Sequence, residues 1–250
     1  MPMRAIVLAA GKGSRLAPLG SDLPKVLHTI GDHTLLWYCL KNIDFITPAD
    51  TTIVVGFQKE LVMQSSSGYQ FAEQTEQKGT GHAVLAAADH FTDYDGDVLV
   101  IYGDMPLFRT QTYQNLVDRH IRQNADCTIL TGISDPPMAY GRVLRKNGAI
   151  VDIIEEKDCT PVQAKITELN VGVYVFKAHA LFDNLQKLSC DNTQQEYYLT
   201  QLPKILIQQD YQIASCTIND SDEFLGVNTP EDLAICKQIL QKRNASTTLL

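Results

Sequence analysis

The first half of the chain alternates between short, almost wholly apolar runs and longer stretches with apolar residues at helical spacing. The apolar runs predict buried strands, because a strand covered on both faces carries few polar positions. They are MRAIVLA (3–9), TTIVVGF (51–57) and DVLVIYGDMP (97–106), with YQFAEQ (69–74) as a shorter candidate. The helical stretches between them are TLLWYCLKNIDFI (34–46), TGHAVLAAADHF (80–91) and QTYQNLVDRHIRQN (111–124). This alternation favours a parallel sheet with helices on both faces.

The second half of the chain changes to strand patterns separated only by turns. These patterns are ADCTILTGIS (125–134), GRVLRKNGAIVDIIEEK (141–157) and ELNVGVYVFK (168–177). The Lys-Asn-Gly step at 146–148 is typical of a hairpin turn, so we expect an antiparallel extension of the same sheet that carries a second ligand's site. Helices are predicted at 197–209 and 230–243, the latter capped by Thr229, and a tail at 244–250.

The segment after the first strand concentrates glycines and cations. Gly11 and Gly13 allow backbone amides to face an anion, and Arg15 and Lys25 add full positive charges. Pro24 stiffens the backbone before Lys25. The spacing matches neither the P-loop nor the dinucleotide-binding glycine pattern. The alternative is a tight strand-to-helix turn with solvated basic residues.

Asp104 follows another buried strand, at a position equivalent to that of Gly11. In parallel sheets, ligands bind beyond the carboxyl ends of the strands. A single carboxylate there is a common Mg²⁺ ligand, because magnesium keeps its waters and takes few protein groups. The alternative for Asp104 is a turn or helix-capping residue.

Composition and charge narrow the choice of partners. The net charge is −8, from 21 basic and 29 acidic residues, and the absence of a basic stretch argues against a nucleic-acid partner. Six irregularly spaced cysteines without a C-x-x-C pair predict free thiols in a reducing compartment. We find no signal-peptide pattern and no apolar run near the roughly 20 residues of a membrane helix. We therefore expect a cytoplasmic protein with no membrane partner.

Several motifs in series resemble those of the sugar-phosphate nucleotidyltransferase family, and more narrowly the uridyltransferase domain of bacterial bifunctional N-acetylglucosamine-1-phosphate uridyltransferase/acetyltransferases. They are LAAGKGSRL (8–16), LPKVLH (23–28), EQKGTGHAV (76–84), VIYGDMPL (100–107), YGRVLRKNG (140–148), IIEEKD (153–158), ELNVGVYVF (168–176), EYYLT (196–200) and GVN (226–228). The resemblance implies a Rossmann-like three-layer α/β/α fold with a mixed, mostly parallel central sheet, of the nucleotide-diphospho-sugar transferase type. It implies one domain over 1–243, with a nucleotide-binding half at about 1–125 and a sugar-binding half at about 126–228.

The resemblance also implies a reaction. UMP would pass from UTP to N-acetylglucosamine-1-phosphate, giving UDP-N-acetylglucosamine and pyrophosphate, by Mg²⁺-assisted in-line attack without a covalent enzyme intermediate. The metal ligands would be Asp104 and Asn228. The chain contains no hexapeptide repeat of a left-handed β-helix. We therefore expect no acetyltransferase activity and a monomer or weak dimer in place of the β-helix trimer.

By position in these motifs, the resemblance implies site residues for each substrate. The catalytic residues would be Arg15 and Lys25. The nucleotide-binding residues would be Leu8, Ala9, Ala10, Gly11, Gly13, Gln74, Gly79 and Thr80. The sugar-binding residues would be Tyr102, Gly103, Gly141, Glu155, Lys157, Asn170, Tyr198 and Thr200. Taken alone, each motif also fits an ordinary loop, turn or hairpin.

Four departures from the family pattern keep an alternative substrate open. They are APLG (17–20), Val171, Gln201 and NTPEDL (228–233). They favour a nucleotidyltransferase for another sugar- or alcohol-phosphate. A second alternative is a non-catalytic UDP-sugar-binding protein, although such a protein would not need Lys25, Asp104 and Asn228. The single aspartate of YGDMP, without a D-x-D pair, argues against a glycosyltransferase.

Overall fold

A computed structural model describes residues 3–19 and 22–247 of the chain. The strands are β1 Met3–Leu8, β2 Thr29–Ile30, β3 His33–Thr34, β4 Thr51–Val55, β5 Gln70–Glu73, β6 Asp97–Tyr102, β7 Cys127–Ile133, β8 Gly141–Lys146, β9 Ala149–Ile154, β10 Glu168–Lys177 and β11 Ile213–Ile218. The α-helices are α1 Leu35–Asn42, α2 Lys59–Ser65, α3 Thr80–Ala86, α4 Thr110–Gln123, α5 Ala178–Leu185, α6 Leu202–Ile207 and α7 Pro230–Thr247. Short 3₁₀ turns, among them Ser14–Leu19, Lys25–Leu27 and Leu199–Gln201, connect several of these elements.

The main sheet has the strand order β11-β7-β10-β6-β1-β4-β5. Strand β1 pairs in parallel with both β4 and β6, whereas β10 is antiparallel to both β6 and β7. The β8–β9 hairpin extends from β10. Within the described part of the chain, β10 is therefore the one strand of that order that opposes the others, and the predicted mixed, mostly parallel sheet is confirmed.

The helices form layers on both faces of the sheet, which explains the apolar strand patterns. Ile6 and Leu8 of β1 pack into a core with α3, α5 and α6. Ala5 and Val7, whose side chains point to the opposite face, pack into a second core with α1, α2 and α4. Because both faces of β1 are covered from Ala5 to Leu8, a polar side chain in this part of the strand would be buried without solvent.

The parallel register brings the predicted ligand-binding loops to one edge. Leu8 pairs with Val54 of β4 and with Tyr102 of β6. These strands therefore end side by side. The loop that begins at Ala9 and the loop that carries Asp104 leave the sheet at the same edge, as predicted.

A bulge in β10 shapes the other side of this edge. The pairing of β10 with β7 shifts register between Asn170 and Tyr174. Gly172 lies in the bulge with φ +79°, and a Cβ atom there would collide with the ring of Tyr102. Glycine is thus required both by the backbone conformation and by the close approach of that ring.

Five elements were not predicted from the sequence pattern: the two-residue strands β2 and β3, the helices α2 and α5, and strand β11. Strand β11 pairs in parallel with β7 at the edge of the sheet. The second half therefore also contributes a parallel strand pair, which was not predicted. The antiparallel pairing of β7, β8, β9 and β10 was predicted and is confirmed.

Helix α7 begins as predicted and ends later. Thr229 Oγ1 accepts a hydrogen bond from Asp232 N at 3.2 Å, and Asp232 Oδ2 accepts one from Thr229 N at 2.9 Å, which confirms the predicted cap. The helix continues to Thr247, so the predicted tail is wrong for 244–247, while 248–250 lie outside the described residues.

Two further sequence predictions concern thiols and membranes. All six cysteines are free, as predicted. Among the residues that the structure describes, no helix combines the length and the apolar character needed to cross a membrane.

Candidate active site

The glycine loop after β1 packs against Lys25 and is held by a neighbouring loop. Ala10 O accepts a hydrogen bond from Gln77 Nε2 at 2.8 Å. Gly13 has φ +70°, and a Cβ atom at this position would lie 2.6 Å from Lys25 Cβ. Gly13 therefore allows the loop to pass directly over the stem of Lys25.

Lys25 joins two predicted metal ligands from distant parts of the sequence. Its ammonium forms an ion pair with Asp104 Oδ2 and donates to Asn228 Oδ1 at 2.7 Å. Arg15 Nη2 donates to the same Asn228 oxygen at 2.9 Å. The side chains of Lys25 and Asp104 are only 14% and 19% exposed. A backbone hydrogen bond from Val227 N to Asp104 O, at 3.0 Å, ties the two segments together.

A cavity of about 250 Å³ opens between the glycine loop and the start of α3. Its lining consists of Leu8, Ala9, Ala10, Gly11, Lys25, Val26, Gln74, Gln77, Gly79, Thr80, Ala83, Tyr102, Asp104 and Glu196. Seven of the eight predicted nucleotide-binding residues therefore lie on one cavity; Gly13 is the exception.

The buried side chain of Gln74 is held in the wall of this cavity by two contacts. Gln74 Nε2 donates to Gly79 O at 3.1 Å and lies 3.2 Å from His82 Nδ1. Gly79 has φ +109°, and a Cβ atom there would lie 2.7 Å from Tyr197 O. With the amide nitrogen committed to these contacts, Gln74 Oε1 accepts no hydrogen bond from the described residues and is the free group of this side chain.

A second cavity, of about 200 Å³, lies on the other side of Asp104. Its lining consists of Tyr102, Asp104, Met105, Ala139, Tyr140, Gly141, Glu155, Asn170, Val171, Gly172, Thr200, Gly226 and Asn228. Tyr102 and Asp104 line both cavities. The two cavities therefore meet at Asp104, beside Lys25.

Hydrogen bonds orient the polar groups of the second cavity. Thr200 Oγ1 donates to Glu155 Oε1 at 2.6 Å, and Asn170 Nδ2 donates to Tyr174 OH at 2.6 Å. Burial raises the pKa of Glu155. The cavity thus presents a carboxyl, an amide and a hydroxyl group, which are suited to the hydroxyls and amide of a sugar derivative.

Five predicted residues line neither of these two cavities: Gly13, Arg15, Gly103, Lys157 and Tyr198. Lys157 Nζ donates to Gln194 Oε1, and Tyr198 OH accepts from Gln194 Nε2 at 2.7 Å. Tyr198 instead lines an outer cavity of about 550 Å³, which shares Glu155 and Thr200 with the second cavity. The structure thus does not bring Lys157 and Tyr198 to the expected sugar cavity.

Other lining residues were missed by the sequence interpretation. They are Val26, Gln77, Ala83 and Glu196 in the first cavity and Met105, Ala139, Tyr140, Val171, Gly172 and Gly226 in the second. Gln77 shares a motif with Gly79, and Tyr140 directly precedes Gly141. All of these residues except Ala139 lie within the motifs quoted above, and this membership is the signal that could have identified them.

Glu155→Gln is expected to remove a pH-dependent loss of stability. Because burial raises the pKa of Glu155, the folded protein retains this proton at pH values where the unfolded chain has released it. Relative to the variant, the free energy of unfolding of the wild type should therefore fall as pH rises from the ordinary glutamate range through the raised pKa of Glu155. Urea denaturation between about pH 4 and pH 8 measures this fall, which the variant should lack. Glu60→Gln, at an exposed position of α2, is the control, and parallel profiles for all three proteins would contradict the prediction.

A family model and the curated relatives of this chain both indicate a nucleotidyl transferase. A model of the nucleotidyl transferase family matches residues 4–242. The chain is 39% identical over 248 residues to the bifunctional protein GlmU of Streptococcus thermophilus (strain ATCC BAA-491 / LMD-9), covering 98% of this chain and 53% of that protein. It is 42% identical over 241 residues to the bifunctional protein GlmU of Lactococcus lactis subsp. lactis (strain IL1403), covering 96% and 52%. The chain thus spans about half the length of these curated relatives.

The fold has a counterpart among solved structures. A putative glucose-1-phosphate thymidylyltransferase from Bacillus anthracis, solved in complex with a sucrose, matches with a TM-score of 0.74 and 18% sequence identity. The match covers 95% of this chain and 94% of that one. At this identity the likeness concerns the fold alone.

Proposed function

The chain belongs to the nucleotidyl transferase family, and we propose that it transfers UMP from UTP to N-acetylglucosamine-1-phosphate. The products would be UDP-N-acetylglucosamine and pyrophosphate. One observation carries the proposal: the cavity at the glycine loop and the cavity at Glu155 and Asn170 meet at Asp104. A nucleotide in the first and a sugar phosphate in the second would bring their phosphates together beside Lys25.

The choice of uridine is supported by the orientation of Gln74. Uracil carries a donor at N3, whereas cytosine carries an acceptor there. The Gln74 amide nitrogen is held by Gly79 and His82, so its oxygen is the group left to meet the base. An acceptor at this point pairs with uracil N3–H and faces the cytosine N3 lone pair unfavourably.

Gln74→Ala is expected to weaken the preference for UTP over CTP. Loss of one base-reading hydrogen bond costs about 1–3 kcal/mol, so the ratio of kcat/KM values for the two nucleotides should fall by roughly tenfold. Steady-state kinetics with each nucleotide measures this ratio. Gln111→Ala, at an exposed position of α4, is the control, and an unchanged ratio in Gln74→Ala would refute the assignment.

The phosphates would react by direct displacement. An oxygen of the sugar phosphate would attack the α-phosphorus of UTP while the bond to the β-phosphate oxygen breaks and pyrophosphate leaves. No general base is required, because the nucleophile is an ionised phosphate. Lys25 would neutralise charge on the α-phosphate or the leaving group, Arg15 would do so at the β/γ end, and amides of the glycine loop would donate to the phosphates.

Asp104 and Asn228 fit a divalent cation. Asp104 Oδ2 and Asn228 Oδ1 both face the ammonium of Lys25, and Asn228 Oδ1 also accepts a hydrogen bond from Arg15. Over 3–19 and 22–247, no group of three or more His, Cys, Asp and Glu side chains could hold a metal, so this carboxylate–amide pair is the candidate. Oxygen ligands in small number suit Mg²⁺. A magnesium ion bound there would supply positive charge to the phosphate oxygens.

Pyrophosphate release tests the proposal. The protein is mixed with Mg²⁺, UTP and N-acetylglucosamine-1-phosphate, with glucose-1-phosphate and CTP as parallel controls. Fast release only with UTP and the N-acetylated sugar phosphate would support the proposal. Release with another pair would replace the substrate, and UTP binding without any release would favour a non-catalytic UDP-sugar-binding protein.

A further inference from the structure

The side chain of Tyr140 connects the wall of the second cavity to the segment that carries Asn228. Tyr140 lies in the loop before β8 and lines that cavity. Its hydroxyl donates to Phe224 O at 2.5 Å and accepts from Gly226 N at 3.1 Å. One hydroxyl group therefore satisfies two backbone groups just before Asn228.

The segment 226–228 is fixed at each of its residues. Tyr140 holds Gly226, while Val227 N donates to Asp104 O at 3.0 Å. Asn228 N donates to Asp232 Oδ2 at 2.9 Å at the start of α7. The contact of Val227 is made by Asp104, a proposed metal ligand, and that of Asn228 is made by Asp232 of α7. Of these three anchors, the one made by Tyr140 comes from the loop that lines the second cavity.

Tyr140 is itself held in place. The buried guanidinium of Arg142 donates from Nη1 to Tyr140 O and from Nε to Ala164 O, the latter at 3.2 Å. The Tyr140 ring also packs edge-on against Phe224, with 6.1 Å between ring centroids. A side chain fixed at its backbone, ring and hydroxyl can transmit a defined position to the segment that it contacts.

We propose that Tyr140 is a positioning residue for Asn228, holding the 224–226 backbone so that Asn228 Oδ1 faces Asp104 in the geometry required for a divalent cation. This inference rests on the proposed function and deepens it, because it assigns the metal site a supporting residue from the sugar cavity. Partners that orient metal ligands affect metal affinity even though they do not touch the ion.

Tyr140→Phe tests this role with two readouts. The variant keeps the ring and loses both hydrogen bonds to the 224–226 backbone. We expect the Kd for Mn²⁺ in the presence of UTP, measured by electron paramagnetic resonance, to rise about tenfold, as for other supporting residues of metal sites. The Mg²⁺ concentration for half-maximal rate should rise by the same factor.

Two further variants keep the inference refutable. Tyr94→Phe removes a comparable hydrogen bond, from Tyr94 OH to Asp97 O at 3.0 Å, at the other end of β6, and should leave Mn²⁺ affinity unchanged. In the Asn228→Ala background, Tyr140→Phe should add no further loss of Mn²⁺ affinity, since the ligand that it positions is gone. Wild-type Mn²⁺ affinity in Tyr140→Phe, or a fall in thermal stability alone, would overturn the inference. Because Mn²⁺ binding needs no turnover, this result is separate from failure of the UMP-transfer assay.

Discussion

Asp104→Ala should lower the rate of pyrophosphate release by about a thousandfold while UTP still binds. The lost carboxylate lies where the two cavities meet, at the end of β6, and is one of two oxygen ligands proposed for the metal. Charge stabilisation by such an ion supplies several kcal/mol to phosphoryl transfer, and about 4 kcal/mol corresponds to this loss. UTP should bind without metal at least as well as to wild type, because removal of Asp104 frees Lys25 from its ion pair.

Single-turnover pyrophosphate release and calorimetric UTP binding measure the two quantities for Asp104→Ala separately. Asp118→Ala, at an exposed position of α4, is the control and should match wild type in both measurements. Wild-type turnover in Asp104→Ala would exclude this carboxylate from the reaction. Loss of UTP binding together with turnover would assign it to nucleotide binding.

Lys25→Met should reduce kcat/KM by about a hundredfold and also lower the stability of the metal-free protein. The rate effect follows from loss of a preorganised cation beside the reacting phosphates. The stability effect follows because Lys25 neutralises a largely buried Asp104 and also donates to Asn228, and an unpaired charge in such a site is costly. Mg²⁺ together with UTP should restore part of the stability, because the ion can replace the ammonium as the positive charge between the two oxygens.

Kinetics and thermal melting with and without Mg²⁺ and UTP test Lys25→Met. Lys177→Met is the matched control, since Lys177 also forms a half-buried ion pair, with Asp126 at 2.9 Å, but does so away from both cavities. This control should lose stability without losing kcat/KM and without recovering on addition of Mg²⁺ and UTP. Equal kinetic losses in both variants would show that the effect of Lys25→Met is unfolding rather than lost phosphate stabilisation.

The positions of Gly11 and Asp104 are predictable from local sequence, because each follows an almost wholly apolar strand and parallel strands end at a common edge. The arrival of Asn228 at Asp104 is not a local property. It depends on the Val227–Asp104 hydrogen bond and on α7, so only the family resemblance predicts it. The orientation of Gln74 depends likewise on Gly79 and His82, which lie in the EQKGTGHAV motif that follows it but form no repeating pattern.

The side chains of Lys157 and Tyr198 point differently from those of other residues in the same motifs. Their neighbours Glu155 and Thr200 hydrogen-bond across the cavity, but Lys157 and Tyr198 both contact Gln194 instead. In a short turn, the direction in which side chains point changes from one residue to the next. Sequence position alone therefore cannot determine which of these side chains faces a ligand.

The elements that the sequence pattern did not predict are short or lie at an edge. Helix α2 has seven residues and buries only Val62. In strand β11, apolar and polar residues alternate only weakly, because this edge strand beside β7 is only partly buried. Helix α5 begins directly after β10, without a side-chain cap that would mark its start. None of these elements repeats its apolar spacing long enough to stand out from the loops beside it.

The antiparallel strand β10 also has a consequence for how the chain folds. It fills the position between β6 and β7, and its register pairs Tyr174 with Val100, so the sheet of the nucleotide half is completed by a strand synthesised much later. Until β10 docks, the outer edge of β6 has unpaired backbone groups of the kind that promote association between chains. Contacts so distant in sequence also slow the search for the native sheet. We therefore expect residues 1–125 and 126–228 to fold as one cooperative unit, because a fragment that ends near residue 125 would lack the strand that closes its sheet.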